Sequence, residues 1–422
     1  MTSRPLAPTI KIGNMGSDQF ADKFQFVAQA QAERQQQQRS RSLHPLQPPL
    51  QFPLQRHDAV HVWRQGQRLL SFSSNDYLGL SKHPALIAAA QDYTGRYGTS
   101  ATASRLVVGT FDIHAQLEQQ LAAACGQEAA LLFSSGLQAN STILPALLDR
   151  QSLELCDRLV HNSLLQGILA SGARFVRYGH NDLDHLHRLL QKQREKGYSR
   201  ILIVTETVFS MDGDRTDLDQ LIPLAEQYNA ILYLDDAHAL GVLGKNGMGL
   251  AAHRPGVDLV VGTFGKAFGA FGAFVACSQA LREHLINTCP GFIYTTALPP
   301  GVVGAIAAAL ALIPTLTAER QTLAHHAELL RTQLQALGYD SGASSTHIIP
   351  VMVGAEAATL QLSQTLEAQG ILAAAIRPPT VAAGTSRLRL ALSSQHRLDH
   401  LDCLIRAIGE RAIGERSDAS GG

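Results

Sequence analysis

The amino-acid sequence predicts an α/β fold: a large doubly wound, mostly parallel-sheet domain, a smaller C-terminal α+β domain and an N-terminal arm. Between residues 129 and 312, short apolar runs alternate with helical stretches, which is typical of a parallel sheet covered by helices on both faces. After about Arg320 this alternation changes, which indicates a second unit. We expect a leader and arm over 1–64, a large domain over 65–320, a small domain over 321–411 and a disordered tail over 412–422.

Apolar runs of three to five residues mark the candidate strands of the large domain, and longer stretches between them mark its helices. The predicted strands are Ala129–Phe133, Arg158–Val160, Arg174–Tyr178, Ile201–Thr205, Ile231–Leu234, Leu259–Thr263 and Phe274–Ala276. The predicted helices are His114–Cys125, Gly136–Leu148, Ser163–Ser171, Leu183–Lys196, Leu218–Tyr228 and Gly301–Leu312. In the small domain we expect strands at Ile348–Val353, Ile371–Ile376 and Arg387–Leu390, and a helix at Ala357–Gln369.

Charge is balanced and sparse in this chain. It carries 35 Lys+Arg against 35 Asp+Glu, and charged residues make up only 17% of its 422 residues. This balance gives no reason to expect nucleic acid or an anionic membrane as a partner. Five scattered cysteines, an odd number without zinc-ligand spacing, indicate a reducing compartment and no metal site. The N-terminus lacks the apolar run of a secretory signal, so we expect a cytoplasmic protein, with an organellar transit peptide as the alternative.

Lys266 is the only charged residue between Asp258 and Arg282 and lies in a glycine-rich segment. Desolvation favours the neutral amine that a Schiff-base lysine needs, although a buried lysine that extends to the surface remains an alternative. A phosphate-binding loop of the form GxxxxGK[ST] is excluded, because Val260 and Ala267 stand where that motif requires Gly and Ser or Thr.

Three further groups follow predicted strands, where ligands bind in such sheets. Asp235 and His238 follow the strand ILYL, and a carboxylate there can hold the protonated nitrogen of a pyridine cofactor. His161 begins a helix and could stack on that ring, or simply cap the helix. The segment Ser134–Gly136 opens another helix, whose free amides suit a phosphate.

Taken together, the motifs resemble those of the α-oxoamine synthases, a pyridoxal-phosphate-dependent family of the aspartate-aminotransferase fold type. The matching strings lie in family order between about residues 70 and 390. They are FSSNDYLGLS (72–81), ASRLVVGT with FDIH (103–114), LLFSSGLQAN (131–140), TETVFSMDGD (205–214), LDDAHALGVLG (234–244), TFGKAFG (263–269) and YTTALPP (294–300). The segment AIRPPTVAAGTSRLRL (375–390) is similar to the branch that joins L-alanine to a pimeloyl thioester in biotin biosynthesis.

The resemblance implies a role for each matching position. Lys266 carries pyridoxal 5'-phosphate as a Schiff base, and Asp235 pairs with the pyridine nitrogen. His161 stacks on the ring and meets the substrate, and His238 contacts the ring oxygen. The phosphate and ring are held by Gly136, Leu137, Ser210 and Thr263, and across a homodimer by Thr295 and Thr296. The carboxylate of the amino acid is bound by Asn75 and Arg389. The acyl substrate is met by Thr380 and, at its distal carboxylate, by Arg41 or its neighbour Arg39.

The sequence departs from the family pattern at two places, and it leaves the acyl carrier and two alternative functions open. Leu137 replaces the usual aromatic residue, and Ala239 with Leu240 replaces smaller residues, which affects the expected shape of the acyl entrance. The acyl carrier is coenzyme A or acyl carrier protein. The alternatives are another α-oxoamine synthase that uses glycine or serine with a different acyl-CoA, such as 2-amino-3-ketobutyrate CoA ligase, and a catalytically silent cofactor-binding protein.

Overall fold

The computed structural model of the chain describes residues 23–36, 40–47, 58–194 and 196–419. The chain divides into two units, residues 1–45 and residues 46–422. Among its described residues, the first unit contains the helix α1 (Gln25–Gln36), none of whose residues is buried. The pattern of residues 18–38 predicts a short amphipathic helix, and this segment contains α1; residues 18–22 and 37–38 lie outside the described part of the chain.

The second unit contains the strands and all the other described helices. The strands are β1 (His61–Arg64), β2 (Gln67–Ser71), β3 (Ala129–Phe133), β4 (Ser152–Asp157), β5 (Arg174–Tyr178), β6 (Arg200–Glu206), β7 (Ile231–Asp235), β8 (Leu259–Thr263), β9 (Ala273–Cys277), β10 (Ile348–Gly354), β11 (Ile371–Leu372), β12 (Ala374–Ile376) and β13 (Ser386–Ala391). The helices are α2 (Pro84–Tyr97), α3 (Asp112–Cys125), α4 (Gly136–Leu147), α5 (Asn162–Ser171), α6 (Leu183–Arg194), α7 (Leu218–Gln227), α8 (Gln279–Thr288), α9 (Pro290–Ile293), α10 (Pro300–Leu312), α11 (Thr317–Ala336), α12 (Glu356–Ala368) and α13 (Leu398–Ala419).

Seven strands form the central sheet, in the order β3-β9-β8-β7-β6-β4-β5. All run parallel except β9, which pairs antiparallel with both β3 and β8. Alternate residues of one strand enter different hydrophobic cores: Leu202 and Val204 of β6 pack in one, and Ile203 packs in another. Burial on both faces explains the continuous apolar runs and confirms the predicted α/β class.

One predicted strand of the large sheet is wrong. We expected a strand at Arg158–Val160, but β4 runs from Ser152 to Asp157, and residues 158–160 form the turn after it. The strand carries Glu154 and Asp157 inside the protein, so it lacks the apolar run by which the other strands are found. His161 nevertheless stands at the start of α5, as predicted, and its side chain caps this helix.

The N-terminal strands pack with the C-terminal part of the chain. A two-residue turn with positive φ at Gln65 and Gly66 joins β1 to β2, as a tight hairpin requires. Strand β2 pairs in parallel with β11, and a second small sheet has the order β10-β13-β12. The boundary predicted at residue 65 therefore falls inside the β1–β2 hairpin. The boundary predicted at residue 320 falls inside the second unit.

The last helix, α13, runs to Ala419, so residues 412–419, which we expected in a disordered tail, continue it. Residues 420–422 lie outside the described part of the chain. No single helix among the described residues has the length and apolar character to cross a membrane. A pair, Pro300–Thr315 with Thr317–Ala336, reaches both limits together but is bent by 75° at its break.

Candidate active site

The candidate site lies at the carboxyl ends of three adjacent strands of the central sheet. Glu206, Asp235 and Thr263 are the last residues of β6, β7 and β8. Ligands of open parallel sheets bind at this edge because the strand ends and the loops that follow them converge there. The sequence-predicted Asp235 and Thr263 are therefore neighbours in the fold.

Asp235 is buried and oriented by Asn140. The side-chain amide of Asn140 donates to Asp235 Oδ2 at 2.7 Å and to Ser163 Oγ at 2.9 Å, and it accepts from the Tyr233 hydroxyl at 2.8 Å. The backbone N–H of Ala237 donates to the other carboxylate oxygen of Asp235 at 3.0 Å. These bonds fix the plane of the carboxylate, which positions it for a specific cationic partner.

His161 is connected to the same network. Ser163 presents its backbone N–H at 3.2 Å and its hydroxyl at 2.7 Å from His161 Nδ1. Desolvation of the ring lowers the pKa of His161; the charge of Asp235 opposes this shift and that of Lys266 adds to it. A neutral ring that accepts at Nδ1 carries its proton on Nε2. His161 therefore presents an N–H donor at Nε2.

Glu206 holds the backbone beneath His161. Its Oε1 accepts from the N–H of His161 at 2.6 Å. Burial raises the pKa of Glu206 well above its usual range, and the nearby charge of Asp235 raises it further while Lys266 lowers it. Glu206 is thus a buried carboxyl within electrostatic reach of both groups.

Lys266 lies in a tight loop after β8. Its pKa is lowered by burial, raised by Asp235 and Glu206, and lowered again by Arg389. The N–H of Gly269 donates to the carbonyl of Lys266 at 2.8 Å, and a Cβ at Gly269, where φ is 61°, would come within 2.4 Å of the backbone nitrogen of Ser81. The lysine is therefore partly desolvated in a loop that packs against residues near the N-terminal strands.

His238 and Arg389 meet at the hydroxyl of Tyr77. This oxygen lies 2.7 Å from His238 Nδ1, 3.0 Å from Asn75 Oδ1 and 3.5 Å from Arg389 Nη2. Burial lowers the pKa of His238 well below its usual range, and the positive charges of Lys266 and Arg389 lower it further. His238 is therefore neutral near pH 7.

Arg389 differs from Arg387, two residues earlier on the same strand. Arg387 forms a salt bridge with Asp212. Arg389 donates instead to neutral acceptors among the described residues, namely the carbonyl of Ser210 at 2.5 Å and Asn75 Oδ1 at 3.1 Å. A buried guanidinium held only by neutral groups fits an anionic ligand such as the carboxylate of an amino acid.

The start of α4 and Thr263 provide a candidate phosphate site. Ser135 Oγ accepts from the N–H of Gln138 at 3.1 Å, which leaves the first amides of the helix, at Gly136 and Leu137, without intrahelical partners. A Cβ at Gly136 would come within 2.6 Å of Thr263 Cγ2, and Thr263 Oγ1 is buried without a partner among the described residues. Free amides and an unpaired hydroxyl fit a phosphate, and Asp235 fits a pyridinium nitrogen. These residues together fit pyridoxal phosphate.

Other predicted residues are less closely joined to this cluster. Thr295 is half-buried, Thr296 is exposed and pairs with Ser104 in an isolated bridge, and Thr380 is exposed after the cis Pro378–Pro379 bond. Arg41 is exposed in the first unit, and Arg39 lies outside the described residues. The roles of all four threonine and arginine candidates, Thr295, Thr296, Thr380 and Arg41, stay predictions.

The two departures from the family pattern have different surroundings. Leu137 is 52% exposed, so its side chain points away from the core. Ala239 and Leu240 are buried in the largest hydrophobic core. The larger residues after the DDAH string therefore fill the protein interior and do not form an exposed rim.

Sequence reasoning gave no role to four residues of the cluster, although Glu206 was among the polar residues expected at a strand end: Tyr77, Asn140, Glu206 and His347. The first three stand inside strings that resemble the family, but their partners are far away in the sequence. His347 is buried with its ring centroid 4.0 Å from that of Tyr77, and neither of its nitrogens has a partner among the described residues. Burial, with the charges of Arg389 and Lys266, lowers the pKa of His347 to about 3.

Comparisons with known proteins agree with this geometry. The family model described as aminotransferase class I and II matches residues 67–408. The 8-amino-7-oxononanoate synthase of Gluconacetobacter diazotrophicus is 54% identical over 368 residues, which cover 85% of this chain and 92% of the relative. The 8-amino-7-oxononanoate synthase of Geobacter sulfurreducens is 47% identical over 352 residues, covering 82% and 90% of the two chains.

Solved structures of two related enzymes share the fold of this chain. A structure of SPT, the abbreviation for serine palmitoyltransferase, with a pyridoxal phosphate (PLP) internal aldimine superposes with a TM-score of 0.83 at 28% identity. The match covers 93% of this chain and 98% of that one. The 8-amino-7-oxononanoate synthase of Francisella tularensis superposes with a TM-score of 0.72 at 28% identity, covering 82% and 99%. The expected family is thus confirmed: the chain belongs to the class I and II aminotransferases and, within them, groups with the 8-amino-7-oxononanoate synthases.

Proposed function

We propose that this chain is a pyridoxal-phosphate-dependent acyltransferase of biotin biosynthesis. It condenses L-alanine with a pimeloyl thioester of coenzyme A or acyl carrier protein and releases 8-amino-7-oxononanoate, carbon dioxide and the free thiol. The cofactor is bound as a Schiff base to Lys266. The names of the relatives that share about half of its residues support the choice of substrates.

The observation that carries the proposal is a buried arginine, Arg389, within electrostatic reach of Lys266. The two cations are close enough that the charge of Arg389 lowers the pKa of Lys266, and the acceptors of Arg389 among the described residues are neutral. An amino acid whose carboxylate binds to Arg389 and Asn75 can therefore present its amine and Cα to Lys266.

The residues of the site divide the chemistry among them. Pyridoxal phosphate, when bound, supplies an electron sink for a carbanion at Cα of the amino acid. Asp235 keeps the proton on the pyridine nitrogen, and the phosphate end is held at Gly136, Leu137 and Thr263. Ser210 contributes its backbone carbonyl to the orientation of Arg389.

Proton transfer falls to Lys266 and His161. With the amino acid bound, Lys266 Nζ would act as a neutral amine and remove the proton from Cα. Cα then bonds to the thioester carbon, and His161 Nε2–H donates to the carbonyl oxygen as negative charge develops there. The carbon–sulfur bond would then break, and the thiolate would take a proton from solvent. The original carboxyl group would leave as carbon dioxide, and Lys266 would return its proton to Cα.

A homodimer with shared sites is part of the proposal. Exposed apolar residues surround the loops that carry the predicted cross-subunit contacts: Val107 is 73% exposed, Tyr294 is 85% exposed, and Ser104 pairs with Thr296 between these segments. An apolar patch of this kind is typical of a protein interface. A cytoplasmic location is supported by the five free cysteines.

The test is a substrate panel with the purified, cofactor-loaded protein. L-alanine, glycine and L-serine are each combined with pimeloyl, acetyl and palmitoyl thioesters, and the pimeloyl group is offered on coenzyme A and on acyl carrier protein. We expect release of the free thiol only with alanine and a pimeloyl thioester. Turnover with serine and a palmitoyl thioester, a pair suggested by the name serine palmitoyltransferase of two structural neighbours, or with glycine and an acetyl thioester, would replace the proposal by the alternative.

A further inference from the structure

His180 lies outside the cluster described above, between two carboxylates. Its Nδ1 is 3.0 Å from Asp157 Oδ1, and its Nε2 is 2.8 Å from Asp214 Oδ2. Asp157 is the last residue of β4, and Asp214 lies in the turn after β6. Both carboxylates are buried, and the His180 side chain is 17% exposed. The imidazole therefore connects two neighbouring strand ends.

The ring must be an imidazolium to serve both partners. An ionised carboxylate only accepts hydrogen bonds, so each ring nitrogen has to donate, and only the protonated ring carries two N–H groups. Burial alone lowers the pKa of His180, but Asp157 and Asp214 raise it to about 10. His180 is thus a cation at neutral pH, and its charge separates two carboxylates that would otherwise repel each other.

The turn that His180 contacts is the one that carries Ser210. The N–H of Phe209 donates to the carbonyl of Asp214 at 3.0 Å, which closes the turn, and the N–H of Gly213 donates to the carbonyl of Phe209 at 2.9 Å. The Phe209 ring also meets His180 edge to face, with centroids 4.4 Å apart. His180 therefore touches both ends of the turn 209–214.

Ser210 follows Phe209 directly and links this turn to the arginine of the site. Its carbonyl accepts from Arg389 Nε at 2.5 Å, and the neighbouring Asp212 pairs with Arg387. A shift of the turn would move the acceptor that orients the Arg389 guanidinium. The chain of contacts runs from His180 through the turn to Arg389.

We propose that His180 is a positioning residue that fixes the turn 209–214, so that the carbonyl of Ser210 holds Arg389 in the orientation that binds the carboxylate of the amino-acid substrate. His180 itself contacts neither substrate nor cofactor. The identity of the amino acid as L-alanine rests on the proposed function. The connection from His180 through the turn 209–214 to Arg389 does not.

The test compares His180→Gln with the double variant His180→Gln/Asp214→Asn, both as cofactor-loaded protein. Glutamine removes the positive charge and leaves the two carboxylates facing each other, whereas the double variant also removes one negative charge. His187→Gln is the matched control, because that histidine on α6 contacts Tyr228 and Gln191 away from the site. The readouts are the dissociation constant of L-alanine by spectral titration, the KM of the pimeloyl thioester, and hydrogen–deuterium exchange of the peptide that contains 207–216.

We expect His180→Gln to weaken L-alanine binding by about tenfold, as loss of a hydrogen bond to a charged group does, and to leave the KM of the thioester within about twofold. Exchange should accelerate in 207–216 and not across the central sheet. The double variant should recover most of the alanine affinity, and His187→Gln should match the wild type.

Three results would overturn the proposal: unchanged alanine affinity in His180→Gln, faster exchange spread over the whole sheet, or no recovery in the double variant. If the wild type binds none of alanine, glycine and serine, it is the proposed function that fails. The exchange measurement then still decides whether His180 holds the turn.

Discussion

The two halves of the site differ in the arrangement of their charged groups. In the strand-end half, made of His161, Glu206, Asp235 and Lys266, the charges of Asp235 and Lys266 act in opposite directions on the pKa of His161 and on that of Glu206. In the arginine half, made of Asn75, Tyr77 and Arg389, a single buried cation is surrounded by neutral acceptors. The first arrangement suits proton transfer, and the second suits the binding of an anion.

The largest effect should come from Lys266→Ala in the strand-end half. Without Nζ the cofactor has no covalent attachment and Cα loses its base, so we expect kcat to fall about 10⁴-fold. The assay is thiol release, with borohydride reduction and peptide mass analysis to locate the cofactor. Lys245→Ala, at an exposed lysine in the loop after β7, is the control and should retain both properties. A Lys266→Ala protein with a tenth of wild-type activity would remove the lysine from the mechanism.

The strand-end half was largely predictable from sequence because its residues directly follow apolar runs. Asp235, Thr263 and Lys266 stand within three residues of a strand end, so finding the strand places the residue. His161 was found as a helix start even though β4 was misplaced, because the charged β4 has no apolar run. The same reasoning did not find Tyr77 and Asn140, because their contacts are distant in the sequence. Tyr77 contacts His238, 161 residues away, and Asn140 contacts Asp235, 95 residues away.

The arginine half was reached only through the resemblance to a family. The sequence around them does not distinguish Arg389 from Arg387. The two arginines are two residues apart on one buried strand and therefore share a face of the sheet. The difference lies in Asp212, a residue 175 positions away that pairs with Arg387. Spacing along a strand assigns a side chain to a face of the sheet, but the partner that neutralises it comes from another element.

The neighbours Asp235 and Asp236 offer the next test of the proton-transfer assignment. Asp235 faces the site, whereas Asp236 accepts from Thr207 and from the N–H groups of Leu250 and Ala251. We expect Asp235→Asn to lower kcat about 10³-fold, because it removes the charge that keeps the cofactor nitrogen protonated. Asp236→Asn should leave kcat within about threefold and cost about 1 to 3 kcal/mol of unfolding free energy. Equal loss of kcat in both variants would contradict the assignment.

A pair of conservative changes tests the anion-binding half. Arg389→Lys keeps the positive charge but loses the planar fork, so we expect KM for L-alanine to rise about 10²-fold with a smaller change in kcat. Arg387→Lys keeps a cation beside Asp212 and should change KM about threefold at most. Steady-state kinetics at saturating pimeloyl thioester measure both. If Arg387→Lys had the larger effect, the roles of the two arginines would be exchanged.

The smallest expected effect is a pH dependence outside both halves, at His180. Its pKa of about 10 in the folded protein lies above the value of roughly 6.5 for an unfolded chain, because Asp157 and Asp214 outweigh burial. A group with a raised folded-state pKa contributes its full stabilisation below the unfolded pKa and loses it as pH rises through the folded one. The Tm of the wild type should therefore exceed that of His180→Gln by a few degrees at pH 6, and the gap should close between about pH 7 and pH 10. Titrating groups remote from His180 are common to both proteins and cancel in the difference. A gap that stays constant over this range would mean that His180 stabilises the turn by packing against Phe209 and not by its charge.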